Sequence, residues 1–267
     1  MKFIIFLVCF IAIVFFSASL QENYQGLVSN ILSICFVFGG TLLATLISYP
    51  LEKIKSIRDV IKRAYYIEKF DYAETTKLVV NITRVYKRLG FKPLEEAAQT
   101  ITNPYLKLGI QLIADNAEWE QIKSTTEKEF IFDGLQSDNA RRIIHAMAKY
   151  APAFGLAGTI IGLMMIFPQL SNPKNIGGSM SLALLTTLYG VLTANLILLP
   201  LENKLKDNAD DDEFMYRYII ESLHCIQQRE HSVVIEQRLS ALMPKYELYK
   251  YKADKEETMQ LRIAENA

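Results

Sequence analysis

The sequence is poor in the residues that build metal centres, disulfides and catalytic sites. It has three cysteines in 267 residues, and Cys9, Cys35 and Cys225 do not have the spacing of a zinc site or of a disulfide framework. We interpret them as small buried hydrophobic residues. There is also no nucleophile motif, phosphate-binding loop or metal-ligand cluster. The sequence therefore predicts neither an enzyme nor a protein with a bound metal or cofactor.

Net charge is also lacking, since 29 Lys and Arg balance 29 Asp and Glu. A neutral chain has no excess of basic surface, so a nucleic-acid partner is not expected. Strand-like alternation of apolar and polar residues is absent as well. Apolar residues are instead concentrated in four blocks, separated by charged segments with helical periodicity, which is typical of an α-helical membrane protein. The blocks cover about 3–19, 27–48, 151–170 and 178–200.

The last two blocks contain no Asp, Glu, Lys, Arg or His between their ends. Each is long enough to cross a bilayer as a helix. Both carry small residues and threonines on one helical face, and small residues let membrane helices approach closely. These residues are Gly155, Thr159 and Gly162 in the third block and Ala183, Thr187, Gly190 and Ala194 in the fourth. Because the spans supply no charge, we expect this face to pack against the helix of a partner that does.

The distribution of Lys and Arg predicts the topology. The link between the first two blocks has no basic residue and the link between the last two has only Lys174, whereas 51–149 and the tail are rich in Lys and Arg. Because basic residues collect on the cytoplasmic side, both termini and the long segment are predicted to be cytoplasmic.

The sequence thus predicts an all-α integral membrane protein with four transmembrane helices, a helical cytoplasmic domain between spans two and three, and a cytoplasmic C-terminal helix. The predicted boundaries are 1–50 for the first two spans, 51–149 for the cytoplasmic domain, 150–202 for the last two spans and 203–267 for the tail. The first block, with Ser17-Ala18-Ser19 at its end, resembles a signal peptide. We interpret it as a first membrane helix.

Two features of the cytoplasmic regions allow finer predictions. Residues 51–66 place Ile54, Ile57, Ile61 and Tyr65 on one face and basic residues on the other. Such a helix lies on the inner leaflet, or packs its apolar stripe within a bundle, and the sequence does not decide between the two. Helical pattern also runs without a break from about 120 into the third block, and past Pro200 out of the fourth.

The two apolar segments, PAFGLAGTIIGLMMIFPQL and NPKNIGGSMSLALLTTLYGVLTANLILLPLENKL, closely resemble MotA/PomA flagellar stator subunits of the MotA/TolQ/ExbB superfamily. The run ALLTTLYG at 183–190 is the most specific part. Phe38-Gly39-Gly40-Thr41 resembles the second span of this family, and 103–112 with Asp115 resembles its cytoplasmic domain. The resemblance covers nearly the whole chain and fades in the first span and after about residue 205.

This resemblance implies an ion-channel-forming stator subunit of the bacterial flagellar motor, which couples cation flow to rotation. Five such chains would surround two copies of a single-span partner of the MotB/PomB type, whose aspartate binds the ion. The cytoplasmic domain would contact a FliG-like rotor protein. The implied location is the lipid bilayer of the bacterial inner membrane, and the cation would be transported Na⁺ or H⁺, not a resident cofactor.

The resemblance also implies roles for individual residues, beginning with the ion pathway. Thr159 and Thr187 match two threonines of the family's ion route, and threonine at both positions favours Na⁺ over H⁺. Thr186 and Tyr189 are further candidates for the lining of this pathway. The alternative for the threonines is plain helix packing, with each hydroxyl bonded to its own backbone.

Three further sets of residues follow from the same resemblance. Pro152 and Pro200 are candidate hinges, although each could equally mark a helix boundary without a moving part. The predicted residues of the partner-helix packing are Gly155, Gly162, Ala183, Gly190 and Ala194. The predicted rotor contacts are Lys87, Arg88, Glu95 and Glu96, for which a solvated charged surface is the alternative.

Two other functions compete with the flagellar stator. A related ion-driven energiser, either ExbB/TolQ-like or a stator homologue with a non-flagellar task, would keep the last two spans and power an envelope process. Four spans with the large cytoplasmic segment between the second and third favour the stator. A secondary transporter acting alone would be expected to show an intramembrane charge or inverted repeats, and the sequence has neither.

Overall fold

The computed structural model describes residues 24–66, 70–170, 176–249, 251–253 and 255, so the predicted first membrane helix lies outside the described residues. Within these ranges the regular structure is helical and no strand is formed. The all-α fold class predicted from the sequence is therefore confirmed.

The helices are numbered here from Tyr24 onward. Their bounds are α1 (Tyr24–Ser48), α2 (Leu51–Tyr66), α3 (Tyr72–Leu89), α4 (Lys92–Thr100), α5 (Pro104–Ala114), α6 (Trp119–Ile166), α7 (Ile176–Leu192), α8 (Leu199–Gln227) and α9 (Ser232–Leu242). A short 3₁₀ turn, Phe167–Gln169, follows α6, and a π-helical turn, Thr193–Leu198, joins α7 to α8.

The breaks between the short helices have local causes in the sequence. Gly90 ends α3 with a φ of 78°, a backbone conformation that favours glycine. The side chain of Asn103 caps α5 and accepts hydrogen bonds from the backbone N–H groups of Tyr105 and Leu106, each at 3.1 Å. Pro104 then occupies the first turn, where a missing N–H costs nothing.

Two helical segments are unusually long, as the sequence predicted. Helix α6 has 48 residues and continues through Pro152. The second segment runs from Ile176 through the π-helical turn and past Pro200 to Gln227. Pro152 lies inside α6 and is not a helix boundary, whereas Pro200 is the second residue of α8, directly after the π-helical turn.

The chain forms two compact units. The first unit comprises residues up to Ile67 and Leu135–Asn208, and the second comprises Glu68–Gly134 and the residues from Ala209 onward. The described part of the chain contains three candidate membrane spans, within Ser29–Ser48, Trp119–Gln169 and Ile176–Gln227. The count of four spans and the domain boundaries set by the membrane remain predictions.

The second unit has a core of large side chains. Ile110, Ile226 and Ile235 are fully buried in it, together with an aromatic cluster around Tyr218. The Tyr218 hydroxyl donates to the carbonyl oxygen of Tyr72 at 3.1 Å, and the two rings meet edge to face at 5.0 Å. Burial raises the pKa of Tyr72 to about 12, and the carboxylates of Asp211, Glu247 and Asp212 act in the same direction. Burial also raises the pKa of Tyr218.

Helix α2 packs into the first unit. Val60 is buried, and Ile57, Ile61 and Ala64 pack beside it against alanines and leucines of α6 and α8. The Asn208 amide also donates to the carbonyl oxygen of Ala64 at 3.0 Å. These contacts favour the bundle interpretation of the amphipathic segment, with its Lys and Arg side chains exposed.

Candidate functional site

Helices α6 and α7 approach each other closely through glycines. A methyl group placed on Gly190 would lie 2.6 Å from the carbonyl oxygen of Ala151 and 3.1 Å from the Cα of Gly155. A methyl group on Gly155 would lie 2.9 Å from the carbonyl oxygen of Thr186. No side chain fits at these two positions, so the backbones of the two helices are in direct contact.

This contact corrects the prediction for the small residues. Gly155, Gly162, Ala183 and Gly190 were predicted to pack against the helix of a partner, but they pack against each other within the chain. A methyl group on Gly162 would lie 2.6 Å from the Cβ of Ala183. Ala194 is 2% exposed and belongs to the apolar cluster that contains α2. A row of small residues shows that a close contact exists, but not which helix makes it.

The α6–α7 contact brings Thr159 and Thr187 together. Their hydroxyl groups are hydrogen-bonded to each other. The Thr159 hydroxyl also lies 3.2 Å from the carbonyl oxygens of Gly155 and Ala183, and the Thr187 hydroxyl lies 3.2 Å from the Gly155 oxygen. Each hydroxyl has one proton to donate, so these acceptors compete for it. The result is a half-buried cluster of four oxygen atoms between apolar helices.

The structure does not bring the other two predicted pathway residues to this cluster. Thr186 is 1% exposed, and its hydroxyl lies 2.9 Å from the Ala183 carbonyl oxygen and 3.0 Å from that of Leu182. Its methyl side packs against Gly158. Tyr189 is fully buried, and its hydroxyl donates to the side-chain oxygen of Asn30 on α1. Both residues have the contacts of packing residues in this chain.

Sequence reasoning missed the polar face of α1. The hydroxyls of Ser29 and Ser33 lie 3.2 and 3.4 Å from the carbonyl oxygens of Gly178 and Leu182 on α7. Both pairs are 149 residues apart in the sequence, so α1 and α7 run side by side in the same direction. The signal was present in the sequence as a row of residues four apart, all buried. The row is Ser29, Ser33, Val37, Thr41 and Thr45.

The two candidate hinges, Pro152 and Pro200, lie near the contact between α6 and α7. Pro152 is in α6 next to Ala151, whose carbonyl oxygen faces Gly190. Pro200 follows the π-helical turn, where the N–H of Leu199 donates to the carbonyl of Ala194, five residues earlier. Proline lacks the N–H that an α-helix needs, and π-helical turns are frequent at functional sites. A hinge at either residue remains a prediction.

A further polar contact joins α6 to α8 near these prolines. The Nδ1 atom of His145 lies 2.9 Å from the Oε2 atom of Glu202. The sequence assigned no role to His145, because it lies in a segment predicted to be cytoplasmic, where it could not relay protons across the membrane. Among the described residues no group of His, Cys, Asp and Glu has the geometry of a metal site.

The four predicted rotor contacts lie around one turn of the second unit. Lys87 and Arg88 are in the last turn of α3, and Glu95 and Glu96 are in the first half of α4, with Gly90 between the pairs. All four side chains are exposed. In the described part of the chain none of them forms a salt bridge with a resolved partner. Their contact with another protein remains a prediction.

Comparison with known proteins gives a set of related sequences and a fold. The model of the MotA/TolQ/ExbB proton channel family matches residues 97–217, which include the Thr159–Thr187 cluster. Motility protein A of Treponema pallidum is 28% identical over 235 residues, covering 88% of this chain and 90% of the relative. Chemotaxis protein PomA of Vibrio alginolyticus is 26% identical over 214 residues, covering 80% and 84%. An uncharacterised protein of Bacillus subtilis, YtxD, is 29% identical over 210 residues, covering 79% and 77%.

Two solved structures share the fold. The flagellar MotAB stator complex from Bacillus subtilis contains a chain that matches with a TM-score of 0.81 and 22% identity, covering 94% of this chain and 99% of that one. The C. jejuni MotAB structure matches with a TM-score of 0.77 and 18% identity, covering 91% and 96%. The family model, these relatives and this fold confirm the resemblance seen in the sequence: the chain is similar to MotA/PomA-type stator subunits and, over residues 97–217, to the MotA/TolQ/ExbB proton channel family.

Proposed function

We propose that this chain is an ion-conducting stator subunit of a bacterial flagellar motor. It would couple the flow of a cation across the inner membrane to rotation of the rotor. Relatives named for motility and chemotaxis support this function, as does the fold shared with MotAB structures. The matched family is described as a proton channel family, which is not a class of enzymes.

The observation that carries the proposal is the oxygen cluster of Thr159 and Thr187. It lies between two helices whose apolar segments contain no Asp, Glu, Lys, Arg or His. Hydroxyl and carbonyl oxygens can replace water around a cation, but they cannot bind and release a proton at neutral pH. The chain therefore needs a titratable carboxylate from another protein. A single-span partner of the MotB/PomB type would supply it.

We further propose that the cation is Na⁺. Two threonine hydroxyls and the carbonyl oxygens of Gly155 and Ala183 form an oxygen-rich surface of the kind that a dehydrating sodium ion requires. A proton moving along water and a carboxylate has no need of these oxygens. Alanine at position 159 would leave a methyl group, which cannot replace a water molecule of the hydration shell.

The proposed assembly has five copies of this chain around two copies of the partner. Exposed apolar side chains of the first unit provide surface for lipid, for the partner and for neighbouring copies. Examples are Leu156, Ile160 and Met164 on α6 and Met180 and Leu184 on α7. Four spans with both termini in the cytoplasm would place the segment 51–149 on the same side as the rotor.

The proposed rotor contact uses charge. Lys87 and Arg88 on one side of Gly90, with Glu95 and Glu96 on the other, would face complementary charges of a FliG-like protein. Exposed charges of this kind set the register and rate of association more than its affinity. Torque should therefore fall as intracellular ionic strength rises, because salt screens such contacts.

A non-flagellar energiser is the second candidate function. The description of the matched family includes TolQ and ExbB beside MotA. Such a protein would use the same oxygen cluster and a different partner to drive a process in the cell envelope. Deletion of the gene separates the two functions.

The test is to delete the gene in its host and to restore it as wild type, Thr159→Ala or Thr159→Ser. Swimming speed is measured across external sodium concentrations at fixed pH. Serine keeps the hydroxyl group and alanine removes it, and the side chains of serine and alanine differ little in volume. We expect deletion to stop swimming, wild type and Thr159→Ser to restore it in proportion to sodium, and Thr159→Ala to restore little at any sodium concentration.

Two results would contradict parts of the proposal. Restored swimming that is indifferent to sodium but is abolished by a protonophore would show that protons drive the motor. Normal swimming after deletion, also in a strain without other stator genes, would exclude the flagellar role. The energiser function would then be tested by the sensitivity of the envelope to detergent.

A further inference from the structure

One buried threonine of this chain differs from the others in its hydrogen bonding. Seven threonines in the described residues are buried. Six of them donate to the carbonyl oxygen four residues earlier in the same helix, at 2.7 to 3.0 Å. These six are Thr41, Thr45, Thr76, Thr83, Thr126 and Thr186. The seventh, Thr193, is 4% exposed, and its hydroxyl has no hydrogen-bond partner among the described residues.

Thr193 is also the first residue of the π-helical turn. It follows Thr186 and Gly190 at helical spacing, on the face of α7 that contacts α6. Gly190 lies against Ala151, and α6 runs antiparallel to α7. The turn after Gly190 is therefore level with the turn before Ala151, which contains Ala148.

The backbone of α6 at that level has an unusual carbonyl group. Residue 152 is proline, so the carbonyl of Ala148 lacks the N–H donor that would bond to it in an uninterrupted helix. Ala148 is 6% exposed and belongs to the same apolar cluster as Ala151 and Ala194. A buried hydroxyl and a carbonyl without its helical donor thus occur at one level of two facing helices.

A buried hydroxyl group without a hydrogen-bond partner has an energetic cost. A buried hydroxyl without a partner destabilises the folded chain, and valine would fill the same volume without that penalty. The hydroxyl can both donate to a water molecule and accept from it, and a carbonyl provides a second acceptor. Polar atoms of this kind in a closed apolar setting are where ordered water binds in proteins.

We propose that Thr193 holds a hydration water of the permeating cation at the inner end of the α6–α7 pair. Thr193 is six residues after Thr187, which corresponds to about 9 Å along a helix axis. The oxygen of this water would coordinate the cation as the cation leaves the Thr159–Thr187 cluster. This inference rests on the proposed ion-conducting function and adds a residue to it.

The experiment uses the full chain assembled with its partner subunit in proteoliposomes. Uptake of ²²Na⁺ and of protons is measured for the wild type, Thr193→Val, Thr193→Ser and the control Thr45→Val. Thr45 is also buried, but its hydroxyl donates to the Thr41 carbonyl at 2.7 Å. The melting temperature of each purified complex is measured alongside.

We expect Thr193→Val to reduce uptake of the driving ion by about tenfold, the effect of losing one good hydrogen bond. Its melting temperature should stay the same or rise, because an unpaired buried hydroxyl has been removed. Thr193→Ser keeps the hydroxyl and should conduct like the wild type. Thr45→Val should leave uptake within about twofold of the wild type, since its hydroxyl is already satisfied.

Three results would overturn the inference. Wild-type uptake by Thr193→Val would show that the hydroxyl takes no part in conduction. A lower melting temperature for Thr193→Val would show that the hydroxyl has a structural partner. An equal loss of uptake in Thr45→Val would show that any change in these helices impairs conduction. If the wild-type complex takes up neither Na⁺ nor protons, the proposed ion-conducting function is wrong, and this inference is wrong with it.

Discussion

The two compact units of this chain bury their helices by opposite means. In the first unit the α6–α7 contact consists of glycine, alanine and threonine, and backbone atoms of one helix touch those of the other. In the second unit the helices are held apart by isoleucine, leucine and tyrosine side chains that fill the space between them. Both units have closely packed helix contacts, but one contact depends on the absence of side chains and the other on their bulk.

This difference fits the predicted placement of the first unit in lipid and of the second unit in water. In water, burial of large apolar side chains is itself the driving force for helix association. In lipid that force is absent between helices, so close backbone packing and hydroxyl hydrogen bonds replace it. Mutations should therefore act in opposite directions in the two units. Loss of side-chain volume damages the second unit, and gain of volume damages the first.

The largest effect is expected from Leu223→Ala in the second unit. Leu223 is fully buried, and its methyl groups lie against Gly109. Removing a buried leucine side chain costs about 2–5 kcal/mol, because apolar contacts are lost and a cavity remains. The measurement is the free energy of unfolding of the full chain in detergent, followed by hydrogen exchange of amides in α5 and α8.

Gly109 allows a sharper version of this experiment. A methyl group on Gly109 would lie 2.2 Å from a Leu223 methyl carbon, so Gly109→Ala alone should be destabilising. In the Leu223→Ala background the same methyl group enters the cavity, and the two changes should compensate in part. Strict additivity of the two free-energy changes would contradict the contact.

A smaller loss is expected from Gly190→Ala in the first unit. The added methyl group would meet the Ala151 carbonyl oxygen at 2.6 Å, and neither backbone can yield cheaply. Overpacking of this kind costs about 1–3 kcal/mol. The matched control is Gly39→Ala on α1, where nothing lies within 4 Å of the added methyl group.

The control should behave in the opposite way. Alanine is a better helix former than glycine by about 0.5–1 kcal/mol, so Gly39→Ala should raise the melting temperature of the full chain. Melting is followed by circular dichroism in the same detergent for both variants. A Gly190→Ala chain that melts like the wild type would show that α6 and α7 are not in backbone contact.

The smallest effect is a loss of stability at alkaline pH, which we expect in the second unit only. Burial raises the pKa of Tyr72 in the folded chain to about 12, against about 10 for an unperturbed tyrosine. Below about pH 10 both states keep the proton and stability is unaffected. As the pH rises from about 10 to about 12, the unfolded chain loses its proton first, so the second unit loses stability. Tyr72→Phe cannot titrate and should lose less over this range.

The measurement is the melting temperature of the wild type and of Tyr72→Phe at several pH values above 9, with hydrogen exchange assigning the loss to the second unit. Phenylalanine keeps the ring that meets Tyr218 edge to face. Equal alkaline losses in the two proteins would show that Tyr72 does not contribute.

Much of the fold could be predicted because it has local causes. The 3.6-residue periodicity extends across Pro152, and α6 is continuous there in the structure. Helices end at Gly90 and begin at Pro104 for equally local reasons, since capping and positive φ are properties of single residues. The all-α class was within reach of the sequence for the same reason, whereas Thr159 and Thr187 were singled out by the family resemblance.

What the sequence could not supply is the identity of the contacting surface. The face of Gly155 and Gly190 has the same appearance whether its neighbour is α7, α6 or a helix of another protein. The π-helical turn was also missed, because Thr193 and Ala194 have no residue signature that separates one turn of helix from a wider one. The polar row on α1 was overlooked, although its spacing of four residues was visible.

The two sides of α7 differ in a way that has a mechanical consequence. On one side, the Tyr189–Asn30 hydrogen bond and the Ser29 hydroxyl, 3.2 Å from the Gly178 carbonyl oxygen, connect α7 to α1. On the other side, α7 contacts α6 through glycine backbone, the small side chains of Ala183 and Thr186, and the Thr159–Thr187 hydroxyl pair. The α1–α7 contact is thus fixed by side-chain hydrogen bonds, whereas the α6–α7 contact is made mainly by backbone and small side chains. If the helices of this unit shift during ion passage, α1 and α7 should travel together and α6 should slide past them.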